Sequence, residues 1–325
     1  MEKQALANKS VGDMIRQQLL GRFGIFLGLL ALMAVFTSMT PVFLTSGNIR
    51  NILIQSGTNA IIAAGMTFVI IAAEIDLSVG SIVALSSVVG AQIMVDTHNV
   101  FLGVIATLGL GIFLGLVNGV LVAYFEFPSF IVTLSTMWLF RGSAYVYTEG
   151  QAIVNLPEGI MTLSMGDFLK IPNIVWLIAL TYIICYLLLA KITTGRKIYA
   201  VGDNREAARL SGINVKTIKA LVFTISGFLA SLGGIVLMSR LNSGQPVAGT
   251  SFELSAIAAA VIGGTSLTKG GVGGVVGTLI GAVFIATLQN GLVILNVTSF
   301  WQQVFMGIVV LIAVAIDKYR KSFAM

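Results

Sequence analysis

FLGVIATLGLGIFLGLVNGVLVAYF, residues Phe101–Phe125, runs from end to end without a charged side chain. A bilayer's hydrocarbon core is about 30 Å thick and is crossed by about 20 apolar residues of helix, so this stretch is long enough to span it. Similar blocks lie outward from it on both sides: Phe23–Thr40, Gly57–Ala73, Val79–Val95, Phe130–Tyr147, Ile174–Ala190, Ala220–Met238, Glu253–Leu267, Val272–Leu295 and Phe300–Ile316. Hydrophobic residues make up 57% of the 325 and charged ones 10%, with a mean hydropathy of +0.98. Soluble domains are about 25% charged, so an ordinary soluble enzyme is excluded. The expected fold is an all-α polytopic membrane protein of about ten transmembrane helices with no sizeable soluble domain.

Charge placement orients the chain. Of 19 Lys and Arg, four precede the first block, seven fall in 191–219, Lys269 lies between two late blocks, and Lys318, Arg320 and Lys321 close the sequence. Arg50, Lys170 and Arg240 fall on the opposite side, and Arg141 lies inside a block. The bias puts both termini in the cytoplasm. It also explains the formal charge of +6 through the lipid bilayer, so no nucleic-acid partner is expected. The chain divides into a cytoplasmic interfacial segment at 1–22, six spans over 23–190, a cytoplasmic loop at 191–219, four spans over 220–316 and a cytoplasmic tail at 317–325. Helical spacing of Val11, Met14, Ile15 and Leu19 suits a short interfacial helix. The first block lacks a small-residue cleavage site and reads as a signal anchor. Cys185, the one cysteine, sits in an apolar run and reads as a buried, inert thiol.

Two features bear on internal architecture. Glu253–Leu267 is short and rich in small residues, so a re-entrant or broken helix competes with a full crossing. Gly111, Gly115 and Gly119 in the fourth block match Gly273, Gly277 and Gly281 in the ninth. Blocks five apart in a ten-span chain cross in opposite directions, as an inverted repeat requires. Chance agreement among 36 glycines, or close helix packing alone, would give the same stripes.

Chemistry-bearing residues are few. KITTGRKIYAVGDNREAARLSGINVKTIK, Lys191–Lys219, is the one long polar segment. Asp203 there is placed to cap a helix over Asn204–Ser211, with Glu206 reaching back and Gly212 ending it. Ala207 and Ala208 keep that helix slim, and Arg205 and Arg209 share a face. Such a helix either docks into a groove of another protein or is a solvated connector. Arg141, at membrane depth, calls for a partner, Glu149 or a backbone carbonyl. Asp76 and Ser78 can cap the following helix; a gate or ion site is the alternative. No phosphate-binding loop and no midplane carboxylate relay supplies energy, and lone His98 makes no metal site. No catalytic, cofactor-binding or metal-ligating residue is expected.

EIDLSVGSIVAL (Glu74–Leu85), PSFIVTLSTMWLFRG (Pro128–Gly142), the Gly195–Lys219 stretch and GGTSLTKGGVGGVVGTLIGA (Gly263–Ala282) together resemble the ribose-type sugar permeases of bacterial ATP-binding-cassette importers. Glu206-Ala207-Ala208 followed by Gly212 is similar to those permeases' coupling motif, which docks into the ATPase subunit. The resemblance implies a permease in the bacterial inner membrane that moves a monosaccharide, ribose or another pentose, inward. It implies a second permease chain forming a homodimer, a separate two-cassette ATP-binding subunit carrying ATP and Mg, and a periplasmic sugar-binding protein. Asn204, Arg205, Glu206, Ala207, Ala208, Arg209 and Gly212 would then couple to the ATPase. Polar residues on the spans, Asn59, Ser81, Asn118, Thr133, Gln289 and Asn290, are candidates for lining the path, with helix-to-helix hydrogen bonding the competing role. A secondary sugar transporter working alone is the alternative function.

Overall fold

The computed structural model describes residues 11–322. It is all-α except for one small hairpin. The helices are α1 (Val11–Met39), α2 (Ser46–Ile71), α3 (Val79–Thr97), α4 (Val100–Ala123), α5 (Ser129–Thr148), α6 (Thr162–Met165), α7 (Asn173–Ala190), α8 (Thr193–Asp203), α9 (Arg205–Leu210), α10 (Val215–Leu241), α11 (Phe252–Ile262), α12 (Val275–Ile294) and α13 (Ser299–Ser322). A 3₁₀ turn, Glu158–Ile160, precedes α6, and strands β1 (Asp167–Phe168) and β2 (Ile171–Pro172) pair Asp167 with Pro172.

Each apolar block falls on a helix, and among the described residues seven helices are long and apolar enough to cross a membrane: α2, α3, α4, α7, α10, α12 and α13. The block expected at Glu253–Leu267 is the 11-residue α11, which stops at Ile262 and gives way to the non-helical stretch 263–274. Glycines explain the stop: Gly264, Gly271 and Gly273 all take positive φ, which a helix cannot. The short interfacial helix and the first span expected separately form one element, α1. Helix α2 starts at Ser46, well before Gly57, because Thr45 accepts a bond from Asn48 N–H and caps it there.

Burial ranks the helices. In α2, 94% of the apolar window is buried within the protein, against 6% in α13, so α2 is central and α13 peripheral. Helix α10 packs closely along α4 because small residues face each other. A Cβ on Gly115 or Gly119 would strike the carbonyl of Phe223 or Ala220. Cys185 is buried against this core. The neighbours also show a regularity: α3 packs on α4, α5 and α10, while α11 packs on α12, α13 and α2, and the α4–α10 pair has a counterpart in α12–α2.

Two partly buried non-helical segments interrupt the bundle, residues 72–78 before α3 and 242–251 before α11. Irregular backbone at membrane depth must find partners inside the protein. Ile75 N–H donates to Ser129 Oγ (3.3 Å), Ile75 C=O accepts from Thr133 Oγ1 (3.2 Å), and Ser78 N–H donates to Asp76 Oδ1 (2.9 Å). The first turn of α3, just past the first segment, meets the second segment where Gly80 faces Gly249; a Cβ on either would press on the other's carbonyl. Arg141 ties that turn to the second segment. It donates to the carbonyls of Pro246 (2.8 Å), Ala248 and Gly80 (3.1 Å), so of the two expected partners it takes the carbonyls and not Glu149.

Candidate functional site: a capped polar helix and a polar cavity

The polar segment folds as two helices, α8 and α9, where the sequence suggested one. Helix α8 buries Gly195, Ile198 and Val201, spaced three apart on one face. At its end, Gly202 lies against the carbonyl of Ile71, the last residue of α2. Gly271 N–H donates to the same carbonyl (2.8 Å), and Tyr199 Oη donates to Gly273 C=O (2.9 Å). The end of α2, the end of α8 and the 263–274 stretch therefore share one junction that glycines keep thin enough to form.

Helix α9 is capped by Asn204, not Asp203: Asn204 is extended (φ −152°, ψ 101°) and its side chain accepts from Ala207 N–H (2.9 Å). Asp203 closes α8 instead, and the helix covers Arg205–Leu210 rather than Asn204–Ser211. Glu206 does not reach back to the cap. It accepts two bonds from Arg209, Nη2 to Oε1 (2.6 Å) and Nε to Oε2 (3.0 Å). That hydrogen bond holds the Glu206 carboxyl below the usual range and raises Arg209. Gly212, at φ +79°, donates to Arg209 C=O, and Ile213 N–H donates to Ala208 C=O, the paired bonds of a glycine-terminated helix. Ala208 is buried; Asn204, Arg205, Glu206, Ala207, Arg209 and Gly212 are exposed.

The candidate path residues separate. Asn59 and Gln289 line one cavity of about 430 Å³, with Arg50, Gln55, Thr58, Arg240, Phe252 and Ser255 also in its wall. The other four are bonded within the protein. Ser81 Oγ donates to Ser78 C=O (2.7 Å), Asn118 Nδ2 to Ser78 Oγ (2.7 Å), and Thr133 Oγ1 to Ser129 and Ile75 carbonyls. Asn290 exchanges two amide bonds with Asn48 (2.9 and 3.0 Å), fastening α12 to α2. Asp76 accepts from Ser78 and from Ser226 Oγ (2.8 Å), joining the 72–78 segment to α10. The α3 cap residue Ser78 makes no capping bond itself.

Helices of spanning length packed around a polar cavity are the architecture of a multi-pass membrane protein. The comparisons give the family. Residues 48–314 match the model of the branched-chain amino acid transport system / permease component family, and the chain belongs to it. It is 44% identical over 308 residues to the ribose import permease protein RbsC of Haemophilus influenzae, covering 92% of this chain and 95% of that one. It is 45% identical to the ribose import permease protein RbsC of Bacillus subtilis (93% and 94% covered) and 39% identical to the L-arabinose ABC transporter permease protein AraH of Azospirillum brasilense (94% and 90%). No solved structure matches the chain.

Proposed function

We propose that the chain is the permease subunit of an ATP-driven importer and forms the path by which a monosaccharide, ribose or another pentose, enters across the bacterial inner membrane. The similarity to ribose import permeases over nearly the whole of both chains carries this reading. A homodimer of this chain, a separate two-cassette ATPase holding ATP and Mg, and a periplasmic sugar-binding protein complete the importer.

In this reading the chain crosses about ten times with both termini cytoplasmic, α1, α5 and α11 joining those seven helices. The neighbour relations of α3, α4 and α10 against α11, α12 and α2 support an inverted repeat, since spans five apart have matching partners. Coupling falls to Asn204, Arg205, Glu206, Ala207, Ala208, Arg209 and Gly212. When ATP draws the two cassettes together, α9 moves with them, and the shared junction at Ile71 carries the displacement to α2 and to the 72–78 segment. Radiolabelled ribose uptake into vesicles holding permease, ATPase and binding protein tests the assignment. Uptake that needs internal ATP and the binding protein is expected; gradient-driven uptake by the permease alone would favour the secondary transporter, which the repeat-like packing also suits.

A further inference from the structure

We propose that the cavity between α2, α10, α11 and α12 is a recognition site for a neutral monosaccharide, with Asn59 as its anchoring residue. The inference rests on the sugar-import reading and adds to it a place and a chemistry. Asn59 is 9% exposed, yet neither its Nδ2 nor its Oδ1 has a hydrogen-bond partner, and the neighbouring Thr58 Oγ1 is unpaired too. Among the buried amides of the described residues, Asn59 is the only one with both its Nδ2 and its Oδ1 unpaired. Each such buried group costs about 1–3 kcal/mol. Three of them on successive residues of the most buried helix are a standing cost that a polar ligand or its water would offset.

Other buried amides are at least partly bonded: Asn118 leaves its Oδ1 unpaired but donates through Nδ2 to Ser78 Oγ. Asn290, one residue from Gln289, is saturated by Asn48, and Asn48 also donates to Phe43 C=O. Single unpaired atoms also occur at Asn118, Asn242 and Thr265, outside the cavity; what sets Asn59 apart is that both ends of its amide are unpaired and that Thr58 beside it is unpaired too. Asn51, Gln55 and Asn59 recur every fourth residue, which lines them along one face of α2 over about 12 Å, from its outer portion toward its middle. Gln289 on α12 and Ser255 on α11 face the same space, and Ser255 is in the first turn of the short helix that follows a break. Transporter cargo sites commonly lie beside such breaks.

The lining chemistry selects the ligand class. An amide both donates and accepts, as a sugar hydroxyl does, so a wall of Asn and Gln satisfies hydroxyls of either orientation. Phe252 supplies an apolar face for ring carbons. No carboxylate lines the cavity, which disfavours a cation; of its two arginines Arg50 is paired with Asp167 on the outer hairpin (2.5 Å), and Arg240, which has no ion-pair partner among the described residues, can donate to a sugar hydroxyl as the amides do. The volume of about 430 Å³ lies within the range of small-molecule sites.

The test uses the complete transporter with Cys185→Ala, Gln289→Cys and a water-soluble maleimide. Labelling at position 289 should be slowed at least fivefold by high millimolar ribose and not by ribonate. Asn59→Leu should abolish that protection and lower ribose uptake at least tenfold, with ATPase co-purification and binding-protein-stimulated ATP hydrolysis retained. Labelling that ribose does not slow, absence of labelling, or full protection in Asn59→Leu would overturn the site; protection by ribonate alone would overturn the neutral-sugar class. Protection with Asn59 intact decides the matter even where Asn59→Leu fails to assemble. A wild-type transporter that hydrolyses ATP on meeting its binding protein but imports no neutral sugar would instead defeat the sugar-import reading, whereas import without protection defeats this site alone.

Discussion

Lys219 on α10 and Glu74 on the segment leading to α3 form an ion pair whose side chains are only 11% and 9% exposed. The pair sits where the chain leaves the end of α2 and turns back into the bundle. Together with the Asp76–Ser226 bond, it fastens a non-helical stretch to a helix from the other half of the protein.

Removing one member strands a buried charge, which costs about 3–5 kcal/mol, whereas removing both costs far less. Lys219→Met should therefore lower thermal stability in detergent sharply, and Glu74→Gln with Lys219→Met should recover most of it. Double-mutant unfolding temperatures check this; a double variant as unstable as the single one would mean that packing, not charge, dominates.

The glycine junction separates two kinds of glycine. At Gly202 a Cβ would meet the backbone oxygen of Ile71, which cannot swing away, so Gly202→Ala should destabilise the fold by roughly 1–3 kcal/mol, as overpacking does. At Gly212 the surroundings are open, but φ is +79°, so Gly212→Ala strains only the α9 stop, by about 1 kcal/mol. Thermal unfolding should fall in the first variant and hold in the second, while ATPase co-purification should weaken in both.

The exposed Glu206–Arg209 pair gives a third expectation. Glu206→Lys places a cation beside Arg205 and Arg209 and should reduce ATPase association while membrane insertion is unchanged. Because Glu206 is held below the usual carboxylate range, its contribution is present above that range and lost only as pH falls through the depressed pKa. Wild-type co-purification should then be flat near neutral pH and fall only on strong acidification. A decline near neutrality would point to a different group.

Much of this fold is written in hydrophobic blocks, because a bilayer demands one length and one composition from every span. Block boundaries were less readable: α2 begins at Thr45's cap in a stretch that holds Arg50, and no apolar signal extends there. The location of α9 was legible from Gly212, but the cap was displaced by one residue, since Asp203 and Asn204 both suit a cap and only the backbone decides that Asn204 is extended. Asn59 and Gln289 were detectable as polar residues on spans. So were Ser81, Asn118, Thr133 and Asn290, and sequence could not tell those facing a cavity from those fastening helices, because that depends on which helix lies opposite. Gln55 and Ser255 escaped notice for the same reason, and Arg240 was legible only as a charge outside the cytoplasm; the every-fourth-residue run Asn51, Gln55, Asn59 was the signal available.

Arg141 closes the argument for a fastening rather than a transporting charge. Its guanidinium is shared among three carbonyls, two on the 242–251 break and one in the first turn of α3, and it is absent from the cavity that Asn59 and Gln289 line. Arg141→Leu would strand those acceptors at about 1–3 kcal/mol each, whereas Arg141→Lys keeps the charge but cannot span all three with one compact ammonium. Unfolding temperature should therefore fall in the order wild type, Arg141→Lys, Arg141→Leu. Ribose uptake per folded transporter should keep its KM in both variants, because no sugar contact is removed. A raised KM in Arg141→Lys with an unchanged unfolding temperature would instead put this arginine on the path.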